Sequence, residues 1–383
     1  MNENMVLRIG NTRQSDCETI FSIESLSNIR FPAEYHRKFG KIIFTERTIS
    51  QYKNWPLILD EIIRCGRYGC QFVFLISLGE KHFSIASFYK QIYLITKGRC
   101  SLIDLKAVNK VGGYEITIEV KVDIINVDNN WSFGLIWDGK NKKFLQAFVD
   151  SVGNQDTISS IEVIICGPEV ELETKLDVKF VSIDDLSERM SNISKKKNLI
   201  VSNSSYSNLC IVHNRYTIPS NFISSFESFG LDYDLCIVPQ VLVGSGIRTP
   251  DWVTQASDFL LTKNYWLSYG EYSPYQYSPG GLTIAKRNVL LENPWNELAT
   301  WNMAEDVELS QRLRDKGYIY KLNDLSSINV LALRNEIIDD FHYAANNMFI
   351  SSVDTIIEEC NGKCFRLKIR RILRNMYRKL LGA

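Results

Sequence analysis

The sequence predicts an α/β protein, a sheet flanked by helices, and three observations carry that expectation. From Trp131 to Leu322, short apolar runs of strand length alternate with amphipathic segments through brief connections, the pattern of a parallel α/β sheet. An earlier stretch, "KIIFTERTISQYKNWPLILDEIIRCGRYGCQFVFLISL", reads as strand, helix, glycine turn and strand. The composition, 45% hydrophobic and 23% charged over 383 residues, suits two buried cores rather than a disordered chain.

In the first block, Trp55, Leu57, Leu59, Ile62 and Ile63 fall at helical spacing, and Gly66 follows them as a stop. "QFVFLISL" is an apolar run of buried-strand type, and "YEITIEVKVDI" alternates as a half-exposed strand. The polar "NVDNN" near 126–130 marks a boundary. Beyond it, "WSFGLIWDG" is a strand and "NKKFLQAFVDSVGNQ" a helix with Phe144, Phe148 and Val152 on one face. "IEVIICG", "VKFVSIDD" and "NLCIVHNRY" are further strands. From Asp232 to Pro279 the chain is rich in aromatic and turn residues, the makeup of an irregular binding segment above the sheet. "AEDVELSQRLRDKG" is a helix with Leu309 and Leu313 on one face and Gly317 as its cap. "YIYKL" resumes as a strand. The expected division is 1–127, an N-terminal α/β domain; 128–334, the helix-wound domain; and 335–383, a helical extension.

Charge excludes one class of partner. Lysine plus arginine equals aspartate plus glutamate, 44 each, so no global field favours nucleic acid. The start lacks a basic segment leading into an apolar core, and no apolar run reaches the roughly 20 residues that span a bilayer. Nine cysteines form no CxxC pair, so reduced, buried thiols in the cytoplasm are expected. "CNGKC" at 360–364 lacks the second half of a zinc site. The tail "KCFRLKIRRILRNMYRKLLGA" holds eight basic residues and no acidic one. Phe365, Ile369, Ile372, Met376 and Leu380 share a helical stripe. That pattern fits a helix lying on the inner membrane surface, or a basic helix docked on protein.

Residues of about 131–330 resemble the nucleotide-sugar glycosyltransferases of the GT-A fold, family 2 in particular. "FVDSVGNQ" looks like the helix and S-x-x-x-Q segment that open such domains, and "IEVIICG" like their second strand. "SKKKNLIVSNSSYSNLCIVHNR" looks like the segment leading to the metal motif. "SPGGLTIAKRNVLLENPWNE" looks like the Gly-Gly floor of the donor pocket, and "WNMAEDVELSQRLRDKGY" like the acidic helix start. The resemblance implies a Rossmann-like mixed sheet and a UDP-sugar or similar donor. It also implies transfer, with inversion, to a polysaccharide or lipid-linked glycan such as an O-antigen or capsule precursor.

The resemblance implies roles residue by residue. Asp306 matches the catalytic base, with Glu305 orienting the acceptor. Donor contacts fall on Lys197, Asn198, His213, Asn214, Arg215, Gly280, Gly281, Lys286 and Arg287, and Trp301 faces the acceptor. Each has a plainer reading: helix-start chemistry for the acid pair, a solvated face for the lysines, a simple turn for the glycines. The family's Asp-x-Asp cation motif is replaced here by His213-Asn214-Arg215. A manganese or magnesium ion would therefore lean on Asn214 and a distant His342, Arg215 would supply the positive charge itself, or the domain would bind nucleotide or glycan without catalysis. Residues 1–127 resemble, loosely, the later half of a class I methyltransferase. They lack that family's glycine-rich cofactor loop, so no methyl transfer is expected, and the block is either a degenerate α/β remnant or a docking module.

Overall fold

The computed structural model describes residues 5–10, 18–23, 29–109, 112–122, 128–257, 264–300 and 302–333. Trp301, His342, the 335–383 extension and its basic stripe at 363–383 lie outside the described residues.

Branched and aromatic residues in alternation build the first sheet. Its elements in chain order are β1 (Val6–Ile9), β2 (Glu18–Phe21), β3 (Phe39–Phe44), α1 (Trp55–Cys65), β4 (Gly66–Ser77), α2 (Ile85–Ile95), β5 (Cys100–Val108) and β6 (Gly113–Val120). Strand order is β2-β1-β3-β4-β6-β5, parallel as far as β4 and closed by an antiparallel hairpin. Helix α1 begins with Pro56 in its first turn, where no intrahelical N–H is needed. It buries Leu57, Ile58, Leu59, Ile62 and Ile63. Gly66 then turns to extended backbone and leads straight into β4.

The second sheet follows from β7 (Trp131–Ile136), α3 (Lys142–Gly153), β8 (Ile161–Cys166), β9 (Asp177–Val181), α4 (Asp185–Arg189), α5 (Ile193–Asn203), β10 (Asn208–His213), β11 (Tyr216–Thr217), α6 (Phe222–Phe229) and β12 (Leu235–Ile237). Short strands β13 (Gln240–Leu242), β14 (Val253–Gln255), β15 (Asn264–Trp266) and β16 (Gln276–Tyr277) come next. They precede β17 (Leu282–Lys286), α7 (Arg287–Glu292), α8 (Glu305–Asp315), β18 (Tyr320–Leu322) and β19 (Ile328–Val330). The order is β18-β12-β17-β10-β7-β8-β9, with β17 alone running against the others. The sheet is mixed, as the resemblance implies. Strands buried on both faces hold it between two helical layers. Phe133, Val163 and Cys210 pack with α3 and α6. Ile164, Leu209 and Ile211 pack with α5, α7 and α8. The stretch from Asp232 to Pro279 is less irregular than expected, because Leu235–Ile237 is a central strand within it.

The two sheets share a core. Ile237, Trp252, Tyr265, Leu267, Ile319 and Leu322 from the second half pack into the cluster built around α1 and β4. A buried charge network clasps the same seam. Glu61 of α1 accepts from Arg30, Arg64 and Lys321, and Asp232 accepts from Arg30 and Arg64. Among the described residues no helix is long and apolar enough to cross a membrane.

Candidate functional site

Strand β10 delivers His213 to the carboxyl edge of the second sheet, and a tight turn follows. Arg215 N donates to His213 O at 2.7 Å, and Leu331 N fixes the turn by donating to Arg215 O at 2.8 Å. Because β17 runs antiparallel beside β10, with Val212 opposite Leu282, the residues that precede β17 lie at this same edge. Those residues are Gly280 and Gly281. His213 N donates to Gly281 O at 3.1 Å. Open α/β sheets take their ligands at such carboxyl edges.

The acid pair reaches the edge through the glycines. Gly280 N donates to Asp306 Oδ2 at 2.7 Å, and Val307 N donates to Asp306 Oδ1 at 2.9 Å. A Cβ on Gly280 would stand 2.9 Å from Glu305 Oε1 and 3.2 Å from Asp306 Oδ2. A Cβ on Gly281 would stand 2.4 Å from the Tyr216 hydroxyl and 3.0 Å from Arg215 Nη2. Two residues without side chains thus bring the acids and Arg215 to one spot. The sequence reading gave these glycines to the sugar; here their bareness admits the protein's own groups.

The pair is held under tension. Ala304 (φ 54°) and Asn302 (φ 57°), both with side chains, are left-handed just before α8. Such backbone costs on the order of 1 kcal/mol or more and clusters at functional sites. Glu305 is buried and accepts from Lys197 Nζ at 3.1 Å. Burial and the neighbouring Glu305 charge push the Asp306 carboxyl up to about 6, against the pull of Lys197 and the two backbone N–H groups. Arg215 is half-buried, its guanidinium 5.6 Å from the Tyr216 ring. Its Nε is enclosed and donates to no described residue. Tyr216 is braced by Gln240, its hydroxyl 3.0 Å from Oε1.

A residue the sequence reading missed completes the edge. Asp138 follows β7, the parallel neighbour of β10, and its Oδ1 lies 3.5 Å from Asn214 Nδ2. The signal was "WDG", an aspartate in a glycine turn at a strand's carboxyl end.

Other expected contacts fall elsewhere. Lys286 pairs with Asn208 at the start of β10, five residues and roughly 17 Å of strand from His213. Arg287 Nε donates to Val201 O and Ser204 Oγ, both at 3.2 Å. Because β17 is antiparallel, this basic pair lies at the opposite end of the sheet from Arg215 and does not face the same ligand. Lys197 is fully buried on Glu305 and the Trp295 ring, so it acts on the acid pair rather than on a donor. Asn198 exchanges bonds with the Trp295 backbone and reaches Glu297, holding that loop to α5.

A hard divalent cation asks for several oxygen ligands, carboxylates among them. Here Asp138 and the Asn214 amide meet at 3.5 Å, while Glu305 and Asp306 are engaged by Lys197 and backbone N–H groups. No group of three or more His, Cys, Asp or Glu converges among the described residues. Among the described residues, which do not include His342, that donor set does not fit manganese or magnesium.

No protein-family model matches the chain, and no curated protein matches it either. Among solved structures, S. aureus TarS 1-349 is 14% identical, with 62% of this chain and 72% of that one covered and a TM-score of 0.39. The same protein with UDP-GlcNAc gives 13%, 62%, 73% and 0.38. GalNAc-T7 with UDP, GalNAc and Mn2+ gives 11%, 68%, 58% and 0.43. Likenesses of this size carry no functional argument, and the α/β assignment rests on the strand order itself.

Proposed function

We propose that the second half of the chain is a GT-A-type glycosyltransferase domain that moves a sugar from a nucleotide-sugar donor to an acceptor hydroxyl. One observation carries the reading: a carboxyl poised near neutrality, Asp306, is joined through Gly280 and Gly281 to an arginine whose Nε has no described partner. The acceptor oxygen attacks the anomeric carbon from the face opposite the diphosphate, and its proton passes to Asp306. The bond from that carbon to the diphosphate oxygen breaks, its electron pair leaving with the nucleoside diphosphate. A single displacement inverts the anomeric centre. A base with pKa near the working pH is the efficient choice. Arg215 meets the charge that builds on the departing phosphates, where a guanidinium grips two oxygens at once. Glu305 with Lys197 positions Asp306. Asp138 and Asn214 flank the nucleotide side, and the chemistry is not routed through a cation.

The test is calorimetric titration with UDP and other nucleoside diphosphates, then donor hydrolysis with and without EDTA. Saturable binding with turnover that EDTA changes less than about twofold supports the reading. Binding without turnover gives the chain a non-catalytic nucleotide- or glycan-binding role instead.

A further inference from the structure

A second cleft opens at the seam between the two sheets, far from the acid pair. It has a volume of about 440 Å³, the size that holds a small ligand. Both halves of the chain wall it: Arg37, Lys97 and Arg99 come from the first, and Lys286, Arg287 and Lys316 from the second. The cleft also contains Lys321 and Arg64 with four aspartates. Two of these are held within the protein, Asp60 by Lys321 and Asp232 by Arg30 and Arg64. Asp128 and Asp234 remain against Arg37, Lys97, Lys286, Arg287 and Lys316, leaving a net positive wall even with Arg99 set aside.

Several of those cations lack a carboxylate partner. Lys286 donates to the Asn208 amide, and Lys316 donates to Asn293 Oδ1 at 2.5 Å, neutral acceptors in both cases. Arg37 uses Nη1 on Ile63 O and Gly66 O, while its Nε is enclosed and has no partner among the described residues. A concave, partly apolar wall concentrates such a field. Leu94, Ile63 and Ile319 supply the apolar part. The backbone is kept tight there: a Cβ on Gly317 would stand 2.3 Å from Leu94 Cβ.

We infer that this cleft is a binding site for a phosphate-bearing ligand of sugar-phosphate size, separate from the nucleotide site and bridging the two halves of the chain. The inference does not rest on sugar transfer. It also gives Lys286 and Arg287 a place: the basic pair that the sequence puts at donor phosphates serves a different anion.

The experiment titrates the full chain with inorganic pyrophosphate and with glucose 1-phosphate, using glucose as the neutral probe. The Arg215→Ala background weakens the nucleotide site, so the remaining phosphate affinity reports the cleft. Adding Lys97→Glu with Lys316→Glu, both exposed positions, should weaken that remaining binding at least tenfold while UDP affinity in the Arg215 wild type is unchanged. Lys286→Gln should do the same through a wall residue, and circular dichroism melts verify that each variant is folded. Retained phosphate affinity in the folded cleft variants overturns the inference. So does glucose binding as well as its phosphate, or complete loss of phosphate binding on Arg215→Ala alone.

Discussion

The molecule contains two buried charge clusters made of the same ingredients and set to opposite ends. At the seam, Glu61 is wholly enclosed, yet burial, which raises a carboxyl, is outweighed by Arg30, Arg64 and Lys321, and its pKa stands well below the usual range. At the sheet edge, Asp306 shares one cation, Lys197, with a second carboxylate, and its pKa rises to about 6. The first cluster matches its three acids, Asp60, Glu61 and Asp232, with three cations, and Glu61 stays ionised. The second has two acids to one buried cation, so one of them keeps affinity for a proton. What separates a structural clasp from a candidate base is therefore the ratio of partners, not burial.

That contrast is broken most directly at Asp306. Asp306→Asn keeps the size and an oxygen to accept from Gly280 N but removes the proton acceptor. Transfer should fall about a thousandfold, within the range general-base loss spans, while UDP affinity measured by calorimetry stays within about twofold. Wild-type-like turnover in this variant removes Asp306 from the mechanism. The mirror substitution is Glu61→Gln, which leaves Arg30, Arg64 and Lys321 facing a neutral amide. Breaking a buried ion cluster costs about 3–5 kcal/mol, so the urea midpoint should drop sharply. Residual transfer per folded molecule should not. A midpoint like the wild type's would mean that the seam network contributes little.

Arg215→Ala sharpens the comparison from the cationic side. Removing one preorganised partner of developing charge costs about a hundredfold in rate or more. Here UDP affinity should fall as well, because the guanidinium meets the diphosphate in both ground and transition states. Arg215→Lys should recover only part of either, since an ammonium is a point charge without the fork. Full recovery by lysine would show that charge alone matters at this position.

Much of this was legible in the sequence, and each miss has a physical cause. The strands β7, β8 and β10 announce themselves because they are buried on both faces and read as unbroken apolar runs. Helix α8 shows through Leu309 and Leu313 and its closing Gly317. Strand β5 was missed because it is a sheet edge with both faces largely exposed, so it carries no alternation to read. β12 was missed because three residues are too few for a pattern. At the site, the meeting of the acid pair with the "HNR" turn was foreseen from motif order. The direction of β17 was not, and that single antiparallel strand sends Lys286 and Arg287 to the far end of the sheet. Asp138 escaped for a related reason: its partner lies across the sheet, and local sequence does not encode strand neighbours.

The smallest expected effect is thermodynamic, and its sign separates the two clusters. A carboxyl whose folded pKa exceeds its unfolded value binds more protons when folded, so stability falls as pH rises through the interval between them. For Asp306 that interval runs from 3.8 to about 6. The ceiling on the penalty above it is about 3 kcal/mol, and the carboxyl's partial exposure reduces it. Glu61 behaves in reverse: its lowered pKa contributes stability that is present above its unfolded value and is lost on acidification. Urea midpoints at pH 4.5 and pH 7.5 read Asp306, and midpoints at pH 3.5 and pH 5.5 read Glu61, whose interval lies below 4.5; the two should diverge in opposite directions. Relative to wild type, Asp306→Asn should gain stability as pH rises, and Glu61→Gln should lose it. The transfer rate should climb over the same interval as Asp306 loses its proton, so the pH range that costs stability is the one that supplies the base. If the Asp306→Asn and wild-type midpoints move in parallel between pH 4.5 and pH 7.5, the carboxyl is not held near neutrality, and its fitness as a base at the sheet edge goes with it.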